Sequence, residues 1–362
     1  MNREFWQNRR VLITGNTGFK GCWLSLWLQM RGANVAGYSL SVPTKPSLYK
    51  LCNMEETVNT TIADIRNMDS LNNTFKKIKP EVVFHMAAQP LVRKSYTDPV
   101  DTYSTNVMGT VNLLEAVRVS DSVKSVIIVT SDKCYENKEW VWGYRESDSM
   151  GGFDPYSSSK GCAELVTNAY KNSFFNVRDY KKHGVGIASV RAGNAIGGGD
   201  WAEDRLVTDI MTSIIKRQPI LIRSPHATRP WQHVLEPLSG YIELAERLYA
   251  TGQDYSESWN FGPSDDDAKP VEWIVKTLCS LWGKDASYII DTKEHPHEAH
   301  YLKLDCSKSK TKLKWYPLWN LETALQKIVD WYKVFESGGD TKNITLEQIQ
   351  NYEEQRLGEY AE

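Results

Sequence analysis

The sequence lacks a hydrophobic segment long enough to cross a membrane, for which about 20 consecutive apolar residues are needed. Its first ten residues, MNREFWQNRR, also lack the apolar core of a secretory signal peptide. Neither internal repeats nor low-complexity segments occur in the 362 residues. These absences lead us to expect a cytoplasmic protein without a membrane partner.

The chain has no excess of charge of either sign. Its 43 Lys and Arg residues nearly balance 45 Asp and Glu residues, for a formal net charge of −2. Nucleic-acid-binding proteins usually carry a basic surface, and disordered tails carry blocks of like charge. We therefore expect no nucleic-acid partner, and any phosphate group must be bound by a few well-placed cations.

Cysteine pairs in C-x-x-C spacing are also absent. The chain is long for a disulfide scaffold, so we expect reduced thiols. The pattern H-x-H-x-x-H in HPHEAH offers three candidate metal ligands, but its spacing fits no tetrahedral set, and we predict no metal. The cysteines are at positions 22, 52, 134, 162, 279 and 306.

Short apolar segments alternate with longer amphipathic ones. Segments rich in Val and Ile without polar alternation are typical of strands buried on both faces. The alternation predicts an α/β fold with a Rossmann-type, doubly wound parallel sheet. We predict strands at 10–14, 34–38, 82–86, 125–130 and 185–191, and helices at 19–31, 67–78, 101–119 and 156–173.

The pattern loosens after residue 192, where Gly, Pro and Trp become frequent. Helices are still predicted near 233–250, 271–282 and 321–334. We predict a first domain over 1–191 and a smaller, mixed α/β substrate-binding region over 192–362. Later segments such as 233–262 are expected to return to the first domain.

A glycine-rich loop, VLITGNTGFKG, has G-x-x-G-x-x-G spacing between the first predicted strand and helix. In that position glycine permits a tight turn, and the helix N-terminus presents free N–H groups to a pyrophosphate. We predict a dinucleotide site, with a turn that binds no ligand as the alternative. The residues expected beside the cofactor are Gly15, Thr17, Gly18, Phe19, Lys20 and Gly21.

The segment after the second strand, GYSLSVPT, lacks the Asp or Glu that would bind an adenosine ribose. It also lacks an Arg for a 2′-phosphate, and this favours NAD over NADP. Asp64, with the backbone of Ile65, is a candidate contact to the adenine. A helix N-cap before 67–78 is an equal alternative for Asp64.

Tyr156 and Lys160 in DPYSSSKGCAE are four residues apart and so share one face of a helix. A catalytic Tyr must lose its proton, and a nearby cation lowers its ordinary pKa of about 10. We expect Lys160 to have this effect. Such a pair alone is usually structural, but here it follows a glycine loop and a strand-end Ser131.

These three features together resemble the extended short-chain dehydrogenase/reductases. FHMAAQ (84–89) resembles the family's segment beside the nicotinamide, and STNVMGT (104–110) its asparagine-bearing helix. The resemblance implies an NAD-binding Rossmann domain over 1–191. It also implies further cofactor contacts, at Ala87, Ala88, Gln89, Asn106, Tyr156 and Lys160.

Asp132, directly after Ser131, narrows the resemblance to the nucleotide-sugar 4,6-dehydratases within that family. Long segments such as TSDKCYENKEWVWGYRE and RAGNAIGGGDWAEDR most resemble members that act on CDP-D-glucose. The resemblance implies conversion of CDP-D-glucose to CDP-4-keto-6-deoxy-D-glucose, which feeds deoxysugar synthesis of the O-antigen type. The steps are oxidation at C4, loss of water across C5–C6 and hydride return to C6.

This reaction needs one acid–base station at O4 and a second at C5 and C6. Ser131 and Tyr156 would serve the first, and Asp132 would protonate the departing C6 hydroxyl. Related dehydratases follow this Asp with a Glu that acts as the C5 base, whereas this chain has Lys133. A neutral Lys133 could be the base, at a cost of ~4–5 kcal/mol at pH 7. A charged Lys133 could instead stabilise the enolate or only pair with Asp132.

The diphosphate of such a substrate needs cations, and guanidinium groups bind phosphate in a bidentate manner. Arg205 and Arg229 are our candidates, with an ordinary surface position as the alternative for each. A turn is the alternative for Asn194, and Trp201 and Trp231 are expected in the core. The candidate substrate contacts are Gln89, Asn194, Arg205, Arg229, Glu298 and His300.

Two other functions remain open. A 4-epimerase of the same family would not need Asp132, and it would leave the C6 hydroxyl in its product. A non-catalytic NAD-sensing protein would have no reason to keep the Ser, Tyr and Lys residues together. Family likeness also implies a homodimer or homotetramer in which the helices at 101–119 and 156–173 pair across a dimer.

Overall fold

The computed structural model of the protein describes residues 2–222, 224–283, 286–290 and 302–359. Its strands are β1 (Arg10–Thr14), β2 (Asn34–Ser39), β3 (Asn59–Ile62), β4 (Val82–His85), β5 (Ser125–Val129), β6 (Gly186–Arg191), β7 (Ala195–Ile196), β8 (Ile220–Ile222), β9 (Thr228–Pro230), β10 (Gln232–His233), β11 (Ser258–Asn260), β12 (Ala268–Pro270) and β13 (Tyr288–Ile290).

The α-helices lie on both faces of the strands and at the C-terminal end of the chain. They are α1 (Arg3–Trp6), α2 (Phe19–Met30), α3 (Leu48–Leu51), α4 (Met54–Thr57), α5 (Met68–Ile78), α6 (Val92–Thr97), α7 (Pro99–Tyr103), α8 (Gly109–Arg118), α9 (Pro155–Ser173), α10 (Tyr180–His183), α11 (Leu206–Ile215), α12 (Leu235–Tyr255), α13 (Val271–Trp282), α14 (Leu321–Glu336) and α15 (Thr341–Glu359).

Seven parallel strands form the central sheet in the order β11-β6-β5-β4-β1-β2-β3. This arrangement confirms the predicted α/β, Rossmann-type fold. β1, β4, β5 and β6 are the central strands, and their almost continuous apolar sequences follow from burial on both faces. In β1, Val11 and Ile13 pack in one apolar cluster, while Leu12 packs in a second cluster.

The sheet takes its edge strand from the later part of the chain. β11 pairs with β6 in parallel, with Trp259 opposite Val190, and α12 packs against β5 and β6. The remaining strands after residue 191 form three separate two-stranded sheets, β7 with β10, β8 with β13 and β9 with β12.

The helix predicted at 101–119 is interrupted by a π-helical turn, Ser104–Met108, between α7 and α8. Such wide turns often occur at functional sites, and this one contains the buried Asn106. The sequence analysis predicted one continuous helix over 101–119 and did not predict this turn.

The C-terminal helix α15 was not predicted either. It packs across α2, where Glu353 accepts hydrogen bonds from Trp27 and from Arg31, the latter at 2.6 Å. Its polar sequence has little amphipathic pattern, so its position depends on these specific contacts. No helix of the described residues is long and apolar enough to span a membrane, and the six cysteines are free.

Candidate active site

The predicted functional segments follow the carboxyl-terminal ends of four strands of the central sheet. In a parallel sheet the carboxyl ends of the strands meet at the same edge, where ligands bind. β1 leads to Gly15, β4 to Ala87, β5 to Ser131 and β6 to Asn194. The topology therefore brings together segments that lie far apart in the sequence.

The glycine loop presses against the exit of β4. Gly15 has a φ of +77°, and a Cβ there would lie 2.8 Å from the backbone nitrogen of Ala87. A Cβ on Gly21 would lie 2.3 Å from the Gly15 carbonyl oxygen. At Gly18, by contrast, the nearest described atom would be 3.4 Å away. Backbone atoms thus leave no room for a side chain at Gly15 or Gly21, whereas a side chain at Gly18 would make only one ordinary contact.

Thr17 and Lys20 extend from this loop in different directions. Thr17 Oγ1 lies 2.7 Å from Ser39 Oγ and donates to the Leu40 carbonyl, which ties the loop to the exit of β2. Burial and the positive charge of Arg205 lower the pKa of Lys20 to about 8, and Asp132 opposes this shift. The charge of Lys20 therefore interacts electrostatically with both Arg205 and Asp132.

Gln89 and Asn106 form one hydrogen-bonded unit. Asn106 Oδ1 accepts from the Gln89 backbone N–H at 2.8 Å, and its Nδ2 donates to the Gln89 carbonyl and to Ser159 Oγ. The Gln89 side chain is bonded to Thr102 and to the backbone of Leu91. Both amides therefore hold the exit of β4 against α7 and α9.

Tyr156 and Lys160 lie in the first turns of α9. Asp154 caps this helix by accepting from the Ser157 N–H at 2.9 Å, and Pro155 takes the first helical position. The Lys160 ammonium is buried and donates to the Val129 carbonyl at 3.3 Å. The helix thus holds the Tyr–Lys pair against the end of β5.

The pKa values of Tyr156 and Lys160 are both shifted from their ordinary values by burial. Burial raises the pKa of Tyr156 to about 12, although hydrogen bonding with Ser131 and the charge of Arg205 oppose the shift. Desolvation of the phenolate dominates in the protein alone, and the lowering of this pKa by Lys160 stays a prediction. Burial and the nearby charge of Lys20 lower the pKa of Lys160 to about 8.

Ser131 and Asp132 form a buried pair at the exit of β5. Ser131 Oγ donates to Asp132 Oδ1 at 2.9 Å and accepts from the Lys133 N–H at 3.2 Å. A Cβ on Gly193 would lie 2.0 Å from Asp132 Oδ2, so only glycine leaves room for this carboxylate. The loop after β6 therefore sets the position of Asp132.

Lys133 is half-buried beside this pair. Among the residues that the structure describes, its ammonium group makes neither an ion pair nor a hydrogen bond. The structure, which describes both residues, thus contains no direct ion pair between Lys133 and Asp132, and pairing of these two residues stays an untested alternative. The other two roles, base and enolate stabiliser, remain hypotheses.

Arg205 lies near these groups and is partly buried. It forms a 2.6 Å ion pair with Asp200, and its charge acts on the pKa values of both Lys20 and Tyr156. Arg229 lies in β9, where its Nη1 donates to the Thr228 carbonyl.

The remaining predicted residues give little information about substrate binding. Asn194 has a φ of +35°, which agrees with the turn alternative. Trp201 and Trp231 pack with the main apolar core, as expected. Glu298 and His300 lie outside the described residues, as do the other two histidines of HPHEAH.

Asp64 and Ile65 are the two residues predicted to contact the adenine. Asp64 pairs with Arg66 at 2.6 Å, and their hydrogen bond lowers the pKa of the Asp64 carboxyl. It is not a helix N-cap, because Asn67 caps α5. Ile65 is buried, and a Cβ on Gly109 would lie 2.7 Å from its Cγ2. Their contact with an adenine stays a prediction.

Sequence analysis missed the buried ion pair between Glu164 and Arg191, whose Nη2 and Oε2 atoms are 2.9 Å apart. Glu164 follows Lys160 by four residues on the same helix, and Arg191 ends a strongly apolar strand. The sequence does contain a signal for this pair, because a Glu and an Arg of opposite charge occur at positions where the patterns predict burial.

Comparison with known proteins shows the family of the chain. A family model described as GDP-mannose 4,6 dehydratase matches residues 12–328. The chain belongs to this family of dehydratases.

Relatives of this dehydratase family differ widely in their similarity to the chain. A CDP-glucose 4,6-dehydratase of Salmonella typhimurium is 57% identical over 352 residues, which cover 97% of this chain and 98% of that protein. A dTDP-glucose 4,6-dehydratase of Haemophilus influenzae is 24% identical, over 89% of this chain and 97% of the relative.

Solved structures share the fold of this dehydratase at lower identity. A UDP-glucose 4-epimerase of Thermotoga maritima has a TM-score of 0.76 at 21% identity, covering 90% of this chain and 99% of that one. A dTDP-glucose 4,6-dehydratase of Bacillus anthracis, in complex with NAD, has a TM-score of 0.72 at 22% identity. It covers 91% of this chain and 98% of its own.

Proposed function

We propose that this protein converts CDP-D-glucose to CDP-4-keto-6-deoxy-D-glucose with bound NAD as its cofactor. The observation that carries the proposal is the 57% identity, over nearly the whole chain, to a CDP-glucose 4,6-dehydratase. The buried Ser131–Asp132 pair beside Tyr156 supports it, because a dehydratase needs an acid next to its oxidation site. The product would be consumed in deoxysugar synthesis.

The glycine loop fits the diphosphate of NAD. The space a side chain would fill at Gly18 is open, and the first turn of α2, residues 19–22, contains no acidic residue. The helix N-terminus there favours a negative group. When bound, NAD supplies the acceptor for the C4 hydride and returns that hydride to C6.

At the first station Tyr156 would take the proton of the C4 hydroxyl, while Ser131 hydrogen-bonds O4. The high pKa of Tyr156 keeps it protonated in the protein alone, so it can accept the C4 proton only after its own phenol proton has been lost. Its phenolate is favoured by Ser131 and by Arg205, and Lys160 adds a positive charge on the same helix face. Ser131, Arg205 and Lys160 would therefore favour the phenolate form of Tyr156, which accepts the proton of the C4 hydroxyl.

At the second station Asp132, in its carboxylic acid form, would give its proton to the departing C6 hydroxyl and become a carboxylate. Its carboxylate is buried and already accepts a hydrogen bond from Ser131. Lys133, with its ammonium group unpaired among the described residues, would act at C5, either as a neutral base or by stabilising the enolate. The 4-ketone acidifies the C5 hydrogen that this station removes.

Arg205 and Arg229 would bind the diphosphate of the substrate. Arg205 has the stronger support, because its guanidinium acts electrostatically on Tyr156 and Lys20. Asp200 holds it through an ion pair whose carboxylate is buried. Gln89, Asn194, Glu298 and His300 remain proposed contacts.

The test is incubation of the purified protein with CDP-glucose, dTDP-glucose, UDP-glucose and GDP-mannose, each with NAD. We expect a 4-keto-6-deoxy product from CDP-glucose at the highest kcat/KM. Retention of the C6 hydroxyl with inversion at C4 would establish an epimerase instead. Binding of NAD without turnover of any sugar would favour the sensing protein.

We further propose that the protein is a homo-oligomer of the cytoplasm, built on a dimer through α7, α8 and α9. Apolar side chains are exposed on this surface, including Val100 (78%) and Met108 (51%), and they border a groove of about 510 Å³. The six free cysteines suit a reducing compartment.

A charge at the centre of this surface tests the dimer. Met108→Glu should shift the sedimentation coefficient to that of a monomer. The same substitution at Leu357, which is exposed on α15, is the control. A monomeric wild-type protein would refute the proposal.

A further inference from the structure

Glu164 is a buried carboxylate that joins α9 to three strands of the sheet. Its Oε1 accepts from Thr130 Oγ1 at 2.5 Å and from Arg191 Nε at 3.0 Å. Its Oε2 accepts from Ser189 Oγ at 2.6 Å, Arg191 Nη2 at 2.9 Å and Ser258 Oγ at 3.3 Å. These donors belong to β6, to β11 and to the residue directly after β5.

Arg191 extends the same network to the far side of the catalytic segment. Its Nη1 donates to Tyr135 Oη at 2.6 Å and to the Glu146 carbonyl at 3.1 Å. Tyr135 in turn donates to Asn260 Oδ1 at 2.8 Å. The guanidinium group thus bonds to the carboxylate on one side and to the tyrosine on the other.

The two residues so held, Thr130 and Tyr135, flank the segment 131–134. Glu164 bonds the residue before this segment, and Arg191 bonds the residue after it. Arg191 also ends β6, two residues before Gly193, which lies against the Asp132 carboxylate. One ion pair therefore braces both strand exits between which Asp132 lies.

The same helix carries the oxidation station. Tyr156, Lys160 and Glu164 follow one another at intervals of four residues on one face of α9, so Tyr156 and Glu164 are about 12 Å apart along the helix. A shift of α9 against β5 would change the distance between Tyr156 and Asp132.

We propose that the Glu164–Arg191 ion pair is a positioning device, which sets Asp132 and Lys133 relative to Tyr156. It thereby lets elimination follow oxidation in one site. The inference rests on the proposed function. Removal of one partner leaves a buried charge unpaired, and a displacement of about 1 Å in an active site can reduce the rate about 10²-fold.

The first test is Glu164→Gln, which keeps the shape of the side chain and removes its charge. We expect kcat for the 4-keto-6-deoxy product to fall about 10²-fold. KM and the Kd for NAD should stay within about threefold, because neither binding surface contains this carboxylate. Absorbance of the reduced cofactor should rise on mixing with CDP-glucose, since oxidation would continue while elimination is slowed.

Arg191→Lys is the second variant, in case the first does not fold. It keeps the charge but loses the fork that reaches Tyr135, and kcat should fall about tenfold. Glu353→Gln is the matched control, because Glu353 forms a comparably short ion pair with Arg31 far from the catalytic segment. It should lower Tm while kcat per folded enzyme stays unchanged.

Wild-type protein is assayed first in the same series. If it makes no 4-keto product from CDP-glucose, the proposed function fails. If it does, but Glu164→Gln or Arg191→Lys keeps kcat within twofold with no reduced cofactor accumulating, the ion pair is only structural. Loss of rate in strict proportion to the unfolded fraction would likewise overturn the positioning role.

Discussion

Glu164 and Glu236 are both buried carboxyl groups on helices, but they meet different surroundings. Glu164 lies beneath the catalytic edge of the sheet, where the charge of Arg191 and the hydrogen bonds it receives outweigh burial and keep its pKa below the ordinary value. Glu236 lies on α12 beneath α15, and burial raises its pKa to about 7.

The hydrogen bonds of Glu236 are numerous but neutral. Its oxygens accept from the backbone N–H groups of Leu318 and Trp319 at 3.0 and 2.8 Å, and from Tyr352 Oη at 2.8 Å. These hydrogen bonds and the charge of Arg356 together do not offset the desolvation of the Glu236 carboxylate, whereas for Glu164 the directly paired guanidinium of Arg191 and its hydrogen bonds do so. We therefore expect changes at the catalytic edge to affect rate and changes beneath α15 to affect stability.

Tyr156→Phe should give the largest effect, and it should be an effect on rate alone. Loss of the group that accepts the C4 proton should lower kcat by about 10³-fold, while Tm changes little. Tyr170→Phe, later on the same helix, is the control. Measurement of 4-keto product and of thermal unfolding checks the prediction, and a kcat within tenfold of wild type would contradict it.

Glu236→Gln should change the pH dependence of stability rather than the rate. Because the folded pKa is raised, the folded state binds more protons than the unfolded state between about pH 4.5 and about pH 7. The stability this carboxyl group contributes is complete below pH 4.5 and is lost as pH rises through 7. The loss amounts to up to about 3 kcal/mol.

The glutamine variant should therefore lack this loss. The free energy of unfolding, compared with wild type by denaturant titration, should rise relative to wild type between about pH 4.5 and about pH 7.5. Glu354→Gln, on the exposed side of α15, is the control and should change stability by under about 0.5 kcal/mol. Parallel pH curves for wild type and Glu236→Gln would refute the assignment.

Lys133→Met should separate the two chemical stations. Oxidation at C4 should continue, whereas elimination should slow by about 10²-fold, because the group that acts at C5 is gone. Exchange of the C5 hydrogen with solvent and formation of reduced cofactor report the two steps. Lys138→Met, in the same loop with half of its side chain exposed, is the control. Dehydration at the wild-type rate in Lys133→Met would exclude any role for this residue.

Raising the pH should produce the smallest effect, and rate and stability should move in opposite directions. Lys160 loses its proton near pH 8 in the folded protein, so kcat/KM should fall about fivefold from pH 8 to pH 9. Between pH 8 and 10.5 the unfolded state binds more protons, and this group's contribution to stability rises.

Lys20 also has a pKa of about 8. The variant Lys20→Met therefore decides which of the two lysines causes the fall in kcat/KM above pH 8. If the fall in kcat/KM persists in this variant, it belongs to Lys160. A constant kcat/KM up to pH 9 in wild-type protein would show that neither charge is needed.

Local sequence patterns predict five of the seven strands of the central sheet, most of the long helices and the type of chemistry. Apolar strands buried on both faces, glycines at a strand-to-helix turn and Tyr156 with Lys160 on one helix face are all local patterns. The predicted strand and helix bounds agree closely with the structure for that reason. The resemblance to nucleotide-sugar dehydratases depends on these same local segments.

The way in which burial and charge combine at each site depends on the folded arrangement of the chain. The raised pKa of Tyr156 and the lowered pKa of Glu164 depend on neighbours that are distant in the chain. The docking of α15 over Glu236 likewise has no periodic signal in the sequence. Desolvation and Coulomb interactions act through space, so these properties follow from the packing of the strand ends and helices rather than from any one segment.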